Sequence, residues 1–264
     1  MKNEYDSVFV YAADDAARKE ADAFSVRTGI PMGDLSGDGV TLCFAKDGLS
    51  LFGYGLSYRG DFAELLRRVT GGRLAHEMLV HVSKTKEPHP CAVDATAGMG
   101  EDSFLLAAAG YDVTLFEQNA VIAALLRDAL RRAAEDPALA PIVERMHLVE
   151  GDSIKGLGSL SFVPDLIYLD PMFPPRQKSG LIRKKLQLIQ KLERPCSAEE
   201  ELFRAALGAG PKKIVVKRPL KGAVLAGRVP SYTAKGKAIR YDCYVFPGGA
   251  GHGPEQAQSA LHDE

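Results

Sequence analysis

The sequence predicts an α/β protein with a Rossmann-like, mostly parallel sheet, preceded by a small α+β module. From residue 91 onward, short apolar runs alternate with segments of helical periodicity. A glycine-containing turn at residues 94–103 joins the first of these runs to a helix. A later run, residues 165–169, leads directly into an acidic residue and a proline. Strand, tight turn and helix in succession build the nucleotide-sized site of α/β proteins, so we expect a ligand at this turn.

The pattern divides the chain into three parts. The first contains two apolar runs separated by Asp47-Gly48, a strong hairpin signal, and then a helical segment that Asp61 caps. The last is rich in Gly, Gln, Ala and His, a composition typical of a flexible tail. We therefore predict an N-terminal module at 1–75, with substrate recognition as its candidate role, a main domain at 76–246 and a flexible tail at 247–264.

The sequence predicts a cytoplasmic protein. No apolar run approaches the ~18 residues of a membrane helix, and residues 1–6 lack the apolar core of a signal peptide. The four cysteines are far apart, as in proteins whose thiols stay reduced. The six histidines show no zinc-binding spacing, so we expect no metal.

The net charge of −1 conceals two strongly basic stretches. Residues 172–194 hold seven Lys or Arg against one acid, and residues 211–240 hold nine with no acid. Basic stretches in a neutral chain are the expected footprint of a nucleic-acid surface, although a solvated face balanced by acids elsewhere in the fold is the alternative. The candidate phosphate contacts are Arg176, Lys178, Arg183, Lys184, Lys185, Lys217 and Arg218.

The glycine turn, residues 94–103, predicts a ligand that carries positive charge. Glycines such as Gly98 and Gly100 allow close backbone approach and positive φ. Ser103 stands where the dinucleotide fingerprint has its third glycine, and no Lys-Ser/Thr follows as in a P-loop. The acidic Asp94 before the turn suits the sulfonium, ammonium and ribose of S-adenosylmethionine, which has no phosphate. An ordinary strand-to-helix turn is the alternative.

Two further acidic positions belong to this prediction. Glu117 ends the second strand, 19 residues after Gly98, where this architecture grips a ribose hydroxyl pair. A local capping role is the alternative for Glu117. Asp152 and Ser153 follow the third strand and are candidates for contacts near an adenine, with a helix cap as the alternative.

The reacting end of the site is predicted at Asp170, Pro171 and Phe173. Asp170 follows the fourth strand, at the carboxyl edge where open α/β sheets bind ligands. A carboxylate and a neighbouring carbonyl can accept both N–H bonds of an exocyclic amine while Phe173 stacks on the base. A structural proline turn is the alternative.

Five segments together resemble one enzyme family. They are D-A-T-A-G-M-G-E-D at 94–102, F-E-Q-N at 116–119, Y-L-D-P-M-F-P at 168–174, Q-K-S at 177–179 and V-V-K-R-P at 215–219. They resemble the bacterial ribosomal RNA small subunit methyltransferase J family, over about residues 70 to 246. This resemblance implies the Rossmann-like class I methyltransferase fold, S-adenosylmethionine as cofactor, and methylation of the exocyclic N2 of a guanine in 16S rRNA of the small ribosomal subunit.

The resemblance also implies roles for particular residues. Contacts to S-adenosylmethionine are implied for Glu101, Asp102, Glu117, Gln118, Asp152, Ser153 and Asp170, with Asp170 also facing the target amine. The sequence departs from the common Asn/Asp-Pro-Pro-Tyr/Phe motif of amino-group methyltransferases at Met172, which affects the expected base geometry. Gln118 is not basic, which leaves its contact open.

Two other functions stay open at this point. One is a methyltransferase that acts on another amine, such as adenine N6 in RNA or DNA, or a protein glutamine. The other is a non-catalytic RNA-binding assembly factor on the same fold. The methylated nucleoside distinguishes the first, and cofactor binding without product would identify the second.

Overall fold

The chain begins with a four-stranded sheet in the computed structural model, which describes residues 7–35, 39–171, 188–189, 192 and 198–246. Its strands are β1 (Val8–Ala12), β2 (Val40–Ala45), β3 (Gly48–Gly53) and β4 (Leu56–Tyr58), in that order across the sheet. Helix α1 (Asp15–Thr28) connects the parallel pair β1 and β2. The predicted hairpin at Asp47-Gly48 is confirmed, because β2 and β3 pair antiparallel with Ala45 opposite Gly48.

The larger sheet has seven strands in the order β10-β11-β9-β8-β5-β6-β7. In chain order they are β5 (Cys91–Asp94), β6 (Asp112–Glu117), β7 (Met146–Glu150), β8 (Leu166–Leu169), β9 (Lys213–Pro219), β10 (Tyr232–Lys235) and β11 (Ile239–Val245). Strands β5 to β9 are mutually parallel, and β11 runs antiparallel to β9. The strand order reverses between β5 and β8, which opens a crevice at their carboxyl ends.

Helices cover both faces of the larger sheet. They are α2 (Leu66–Val69), α3 (Met78–Val82), α4 (Glu101–Ala108), α5 (Ala120–Ala134), α6 (Ala140–Val143), α7 (Ser153–Leu157) and α8 (Glu199–Gly208). One face packs α3, α4 and α5 into a core that includes Val215. The other face packs α7 and α8 against Val216. Adjacent residues of β9 therefore point to opposite layers, as the two-residue period of a strand requires.

The helix predicted from Asp61 is a 3-10 turn, Phe62–Leu65, that continues into α2. Asp61 accepts a hydrogen bond from the Ala63 amide at 2.9 Å, as its capping role requires. The tighter turn aligns residues three apart, and Phe62 and Leu65 are both buried in the core beside α4 and α5.

The small sheet shares a hydrophobic core with the main domain. Val10 and Leu51 of the small sheet cluster with Val121, Ile122 and Leu125 of α5. Arg27 of α1 also forms an ion pair with Glu150 of β7, at 2.9 Å. The division at residue 75 stays a prediction, and the predicted tail at 247–264 lies outside the described residues. Among the described helices, none is both long and apolar enough to span a bilayer.

Candidate active site

Backbone conformation, close packing and an internal hydrogen bond define the shape of the glycine turn, residues 94–103. Gly98 and Gly100 have φ of +54° and +75°, values that favour glycine. A Cβ on Gly100 would also lie 2.9 Å from the Leu126 side chain of α5. Ser103 is fully buried and donates to Asp94 Oδ2 at 2.6 Å, which ties the start of α4 to the end of β5.

Asp94 lies beneath the turn, with 1% of its surface exposed. Its Oδ1 accepts from the Thr96 amide at 3.0 Å, and its Oδ2 accepts from Ser103. Burial raises the pKa of Asp94 to about 7. The structure therefore does not bring this carboxylate to the surface of the crevice, where the predicted cofactor contact would lie. In this conformation Asp94 supports the turn.

Glu117 contacts the glycine turn directly. Its Oε2 accepts from the Gly98 amide at 2.9 Å, and its Oε1 accepts from the Asn119 amide at 2.7 Å. The 19-residue spacing therefore brings an acid to the turn. The same carboxylate also holds the amide of Asn119, and it is Asn119, not Glu117, that caps α5. The neighbouring Gln118 is exposed.

Asp152 and Ser153 lie beyond the neighbouring strand. Asp152 caps α7 by accepting from the Ile154 amide at 2.9 Å, so the alternative helix-cap role is confirmed. The Gly151 amide donates to the Glu117 carbonyl at 2.9 Å. This hydrogen bond holds Asp152 close to the end of β6, where an adenine contact stays a prediction.

Asp170 lies on the opposite side of the strand reversal and is hydrogen-bonded to the glycine turn. Its amide donates to Thr96 Oγ1 at 2.7 Å, and the Ala95 amide donates to the Tyr168 carbonyl at 3.1 Å. Pro171 follows and is buried. The two strongest features of the sequence, the glycine turn and the Asp170-Pro171 pair, therefore meet at one point.

A lysine joins two carboxylates at this point. Lys217 Nζ lies 2.8 Å from Asp102 Oδ2 and 2.8 Å from Asp170 Oδ2. The Tyr168 hydroxyl donates to Asp102 Oδ2 at 2.6 Å. Burial raises the pKa of Asp170, and the charge of Lys217 opposes that shift. Burial alone would lower the pKa of Lys217, but the two carboxylates outweigh it and the pKa is raised.

The structure corrects two predicted phosphate contacts. Lys217 is paired with Asp102 and Asp170 inside the crevice. Arg218 points to the opposite face of β9, where it is 2% exposed. Its guanidinium pairs with Glu199 at 3.1 Å and donates to the Ala223 carbonyl at 2.8 Å. The prediction that Arg218 contacts phosphate is wrong for this conformation, because its charge is buried and engaged.

The remaining predicted site residues lie outside the described part of the chain. They are Phe173, Arg176, Lys178, Arg183, Lys184 and Lys185. Thr96, Tyr168 and the site role of Lys217 were not predicted from the sequence. The alternation of β9 carried a usable signal, because Lys217 shares the face of the buried Val215.

The chemistry of the crevice fits S-adenosylmethionine. Carboxylates lie near the carboxyl ends of the parallel strands, and Lys217 is paired with two of them, Asp102 and Asp170. Such a site favours an ammonium, a sulfonium and ribose hydroxyls, and it disfavours a phosphate. The acids that stand at or follow the carboxyl ends of β5, β6, β7 and β8 are Glu101, Asp102, Glu117, Asp152 and Asp170. Among the described residues, no group of three or more His, Cys, Asp or Glu is arranged to hold a metal ion.

Comparison with known proteins agrees with this chemistry. A family model described as putative SAM-dependent methyltransferase matches residues 59–246. Ribosomal RNA small subunit methyltransferase J of Thioalkalivibrio sulfidiphilus is 38% identical, over 89% of this chain and 96% of that protein. The protein of the same name from Aeromonas salmonicida is 44% identical, over 68% of this chain and 73% of that one.

A solved structure supports the same conclusion. The crystal structure of a SAM-dependent methyltransferase from Neisseria gonorrhoeae superposes with a TM-score of 0.69 at 32% identity, over 90% of this chain and 96% of that one. The predicted class I methyltransferase fold and the S-adenosylmethionine cofactor are therefore confirmed.

The raised pKa of Asp94 predicts how stability depends on pH. An acid whose pKa is higher in the folded state binds more protons there, so its contribution to stability falls as pH rises towards the folded pKa. Asp94→Asn keeps the shape and removes the charge. Between pH 5 and 8 the free energy of unfolding of this variant should gain about 2 kcal/mol relative to the unmodified protein.

Urea unfolding at several pH values measures this difference. Asp112→Asn, at the exposed start of β6, is the charge-matched control. Parallel curves for Asp94→Asn and the unmodified protein would contradict the buried, proton-sensitive role of Asp94.

Proposed function

The chain belongs to the ribosomal RNA small subunit methyltransferase J family, and we propose that it methylates the exocyclic N2 amine of a guanine in 16S rRNA. The observation that carries this proposal is the hydrogen bond between the Asp170 amide and Thr96, which puts an Asp-Pro pair beside the glycine turn. An acceptor pair there suits an exocyclic amine. The names of the relatives support the ribosomal substrate, and the reaction would take place in the cytoplasm.

The cofactor would be held by the acids of the crevice. Glu117 would accept from the ribose hydroxyls, and Asp152 and Ser153 would lie near the adenine. Glu101 and Asp102 would receive the amino-acid part, because they lie in the first turn of α4. When bound, S-adenosylmethionine supplies an electrophilic methyl group on a sulfonium.

Positioning of the amine is the main task left to the protein. The N2 lone pair of guanine is delocalised into the ring, so the amine is a poor nucleophile. Asp170 and the Pro171 carbonyl would accept its two N–H bonds and favour a lone pair directed at the methyl group. Thr96 fixes the Asp170 backbone for this role. Phe173 follows in the chain and would stack on the base.

We propose that a group of exposed lysines contacts the RNA backbone. This group, the lysine edge, is Lys221, Lys235 and Lys237. Pro219 pairs with Ile239, and Lys235 pairs with Arg240, so the turns that carry these lysines adjoin the carboxyl end of β9. Asp170 follows the carboxyl end of β8, the parallel neighbour of β9. An RNA held by the lysine edge would therefore lie along the rim of the crevice.

Buried groups hold the loop that carries Lys221 in place. Arg240 is 7% exposed and pairs with Asp242 at 2.9 Å. Its Nη1 also donates to the carbonyls of Pro219, Leu220 and Gly222, at 3.0, 3.1 and 2.8 Å. Arg218 binds the next carbonyl, that of Ala223. The basic residues that cannot reach phosphate thus fix the loop that carries Lys221.

A second candidate function uses the same fold with a different target. The crevice chemistry suits other exocyclic amines, such as adenine N6, because the acceptor pair does not itself select guanine. The identity of the methylated nucleoside separates the two. Cofactor binding with no product on any RNA would instead favour a non-catalytic assembly role.

Methyl transfer to small ribosomal subunits tests the central proposal. With labelled S-adenosylmethionine and subunits that lack the modification, we expect N2-methylguanosine after digestion of the RNA. Asp170→Ala should lower kcat by at least about 100-fold, because the amine loses its acceptor, while the cofactor Kd changes only a few-fold. Label on another nucleoside, or near-normal turnover by Asp170→Ala, would overturn the assignment.

Glu117→Ala should weaken S-adenosylmethionine binding by about tenfold or more, since a carboxylate hydrogen bond is lost. Isothermal titration calorimetry measures the Kd. Glu150→Ala is the matched control: Glu150 pairs with Glu117 in the sheet, but its carboxylate is bound to Arg27 and Arg127. An unchanged Kd for Glu117→Ala would refute the ribose contact.

Replacement of the three lysines of the lysine edge with Ala should weaken RNA binding and reduce its salt dependence. Loss of three phosphate contacts should lower the slope of log Kd against log salt by about 2. The control replaces Lys84, Lys86 and Arg145, which are exposed at the amino ends of the strands. Equal slopes for both triple variants would place the RNA elsewhere.

A further inference from the structure

Neither packing within the sheet nor contact with an RNA backbone accounts for the position of the Lys217 ammonium. Its ammonium lies 2.8 Å from one oxygen of Asp102 on α4 and 2.8 Å from one oxygen of Asp170 after β8. The rest of the side chain lies on the face of β9 that also carries Val215, a core residue. Two carboxylates more than neutralise one ammonium, so this lysine offers no net positive charge to a phosphate.

We propose that Lys217 is a positioning residue for methyl transfer: it holds Oδ2 of Asp170 and leaves Oδ1 to accept an N–H bond from the target amine. This inference rests on the proposed function, because it needs Asp170 to face that amine. A carboxylate held at one oxygen by a fixed cation has a defined orientation, and near-attack alignment depends on such orientation.

The shared pairing places two acids at one point. Asp102 and Asp170 contact the same ammonium, and the nearby charge of Asp102 disfavours the ionised form of Asp170. The Tyr168 hydroxyl stabilises Asp102 from the side of β8, at 2.6 Å. The charge of Lys217 favours the ionised form of Asp170 while Asp102, which the family resemblance assigns to the cofactor, stays beside it.

The charges that act on Asp170 come from several elements. Lys217 and Arg218 of β9 favour its ionised form, and Asp102 of α4 disfavours it. Asp94 is buried at the end of β5, and the negative charge of Asp170 raises its pKa, so these two carboxylates also repel each other. Removal of Lys217 would leave Asp94 and Asp102 opposed by Arg218, which lies on the far face of β9, so the protonated form of Asp170 would gain.

Steady-state kinetics of Lys217→Met tests the inference. We expect kcat to fall by about 100-fold at pH 7, with the KM for RNA within about twofold. Because Asp170 acts in its ionised form, the acid limb of the kcat profile should move to higher pH by about one unit. Lys217→Arg, which can still donate to both carboxylates, should keep the limb in place.

Lys213→Met is the matched control. Lys213 lies on the same strand and the same face, but its ammonium donates to the carbonyls of Val82 and Lys84, at 3.0 and 3.3 Å, away from the crevice. This variant should keep both kcat and its pH profile. A Lys217→Met enzyme with normal kcat, or one that loses only RNA affinity and salt dependence, would overturn the inference.

A second measurement needs neither RNA nor turnover. In protein with 13C-labelled aspartate carboxyls, the Asp170 signal is assigned by its absence in Asp170→Asn, and its titration is followed by NMR. Lys217→Met should raise the Asp170 pKa, and Asp102→Asn should lower it, because the first removes a cation and the second removes an anion.

These opposite shifts separate the inference from the proposed function. If the unmodified protein makes no N2-methylguanosine, the proposed function fails, while opposite NMR shifts still support the control of Asp170 by Lys217. If N2-methylguanosine forms but the Asp170 titration is the same in Lys217→Met and the unmodified protein, the inference fails and the function stands.

Discussion

One hydrogen bond, from the Asp170 amide to the Thr96 hydroxyl, fixes the geometry on which the site depends. Beyond the last pair of a strand, a backbone amide has no sheet partner, and a buried amide without one costs about 1–3 kcal/mol. Thr96 supplies that partner from the glycine turn. The loop after β8 is thereby tied to the loop after β5, across the reversal of strand order. This backbone link acts together with Lys217, which joins Asp102 of α4 to Asp170, and with the Tyr168 hydroxyl, which binds Asp102.

Acidic groups accumulate at this edge, and the fold offsets their repulsion in different ways. Asp94 is supported by hydrogen bonds within the turn and has a raised pKa. Glu117 accepts from two backbone amides. Asp102 lies in the first turn of α4, where the helix dipole favours negative charge, and it shares Lys217 with Asp170. A crevice of this kind is prepared for a cation and hydroxyl groups, which agrees with the cofactor of the family.

Local patterns predicted the fold and the strand-end positions of the site. The hairpin at Asp47-Gly48 and the approach of Glu117 to Gly98 follow from turn chemistry and from spacing along parallel strands. The structure differed from the prediction where one sequence pattern is compatible with several roles for the same residue. An acid before a glycine turn can face a ligand or support the turn, and Asp94 supports it because Thr96 and Ser103 supply donors from within the turn. The sequence alone does not show whether Asp94 binds a ligand or the donors of its own turn.

The basic stretch at 211–240 shows why charge density does not locate an interface. A cation reaches phosphate only if its strand face is exposed and no acid binds it. The two-residue period sends Lys217 into the crevice, where Asp102 and Asp170 bind it. It sends Arg218 beneath α8, where it is buried and Glu199 pairs with it. Arg240 fails because Asp242, two residues along the same face of β11, binds it. The buried Arg218 and Arg240 fix the loop from which Lys221 of the lysine edge projects. The sequence therefore locates the basic region, and the register of β9, β10 and β11 decides which of its charges face solvent.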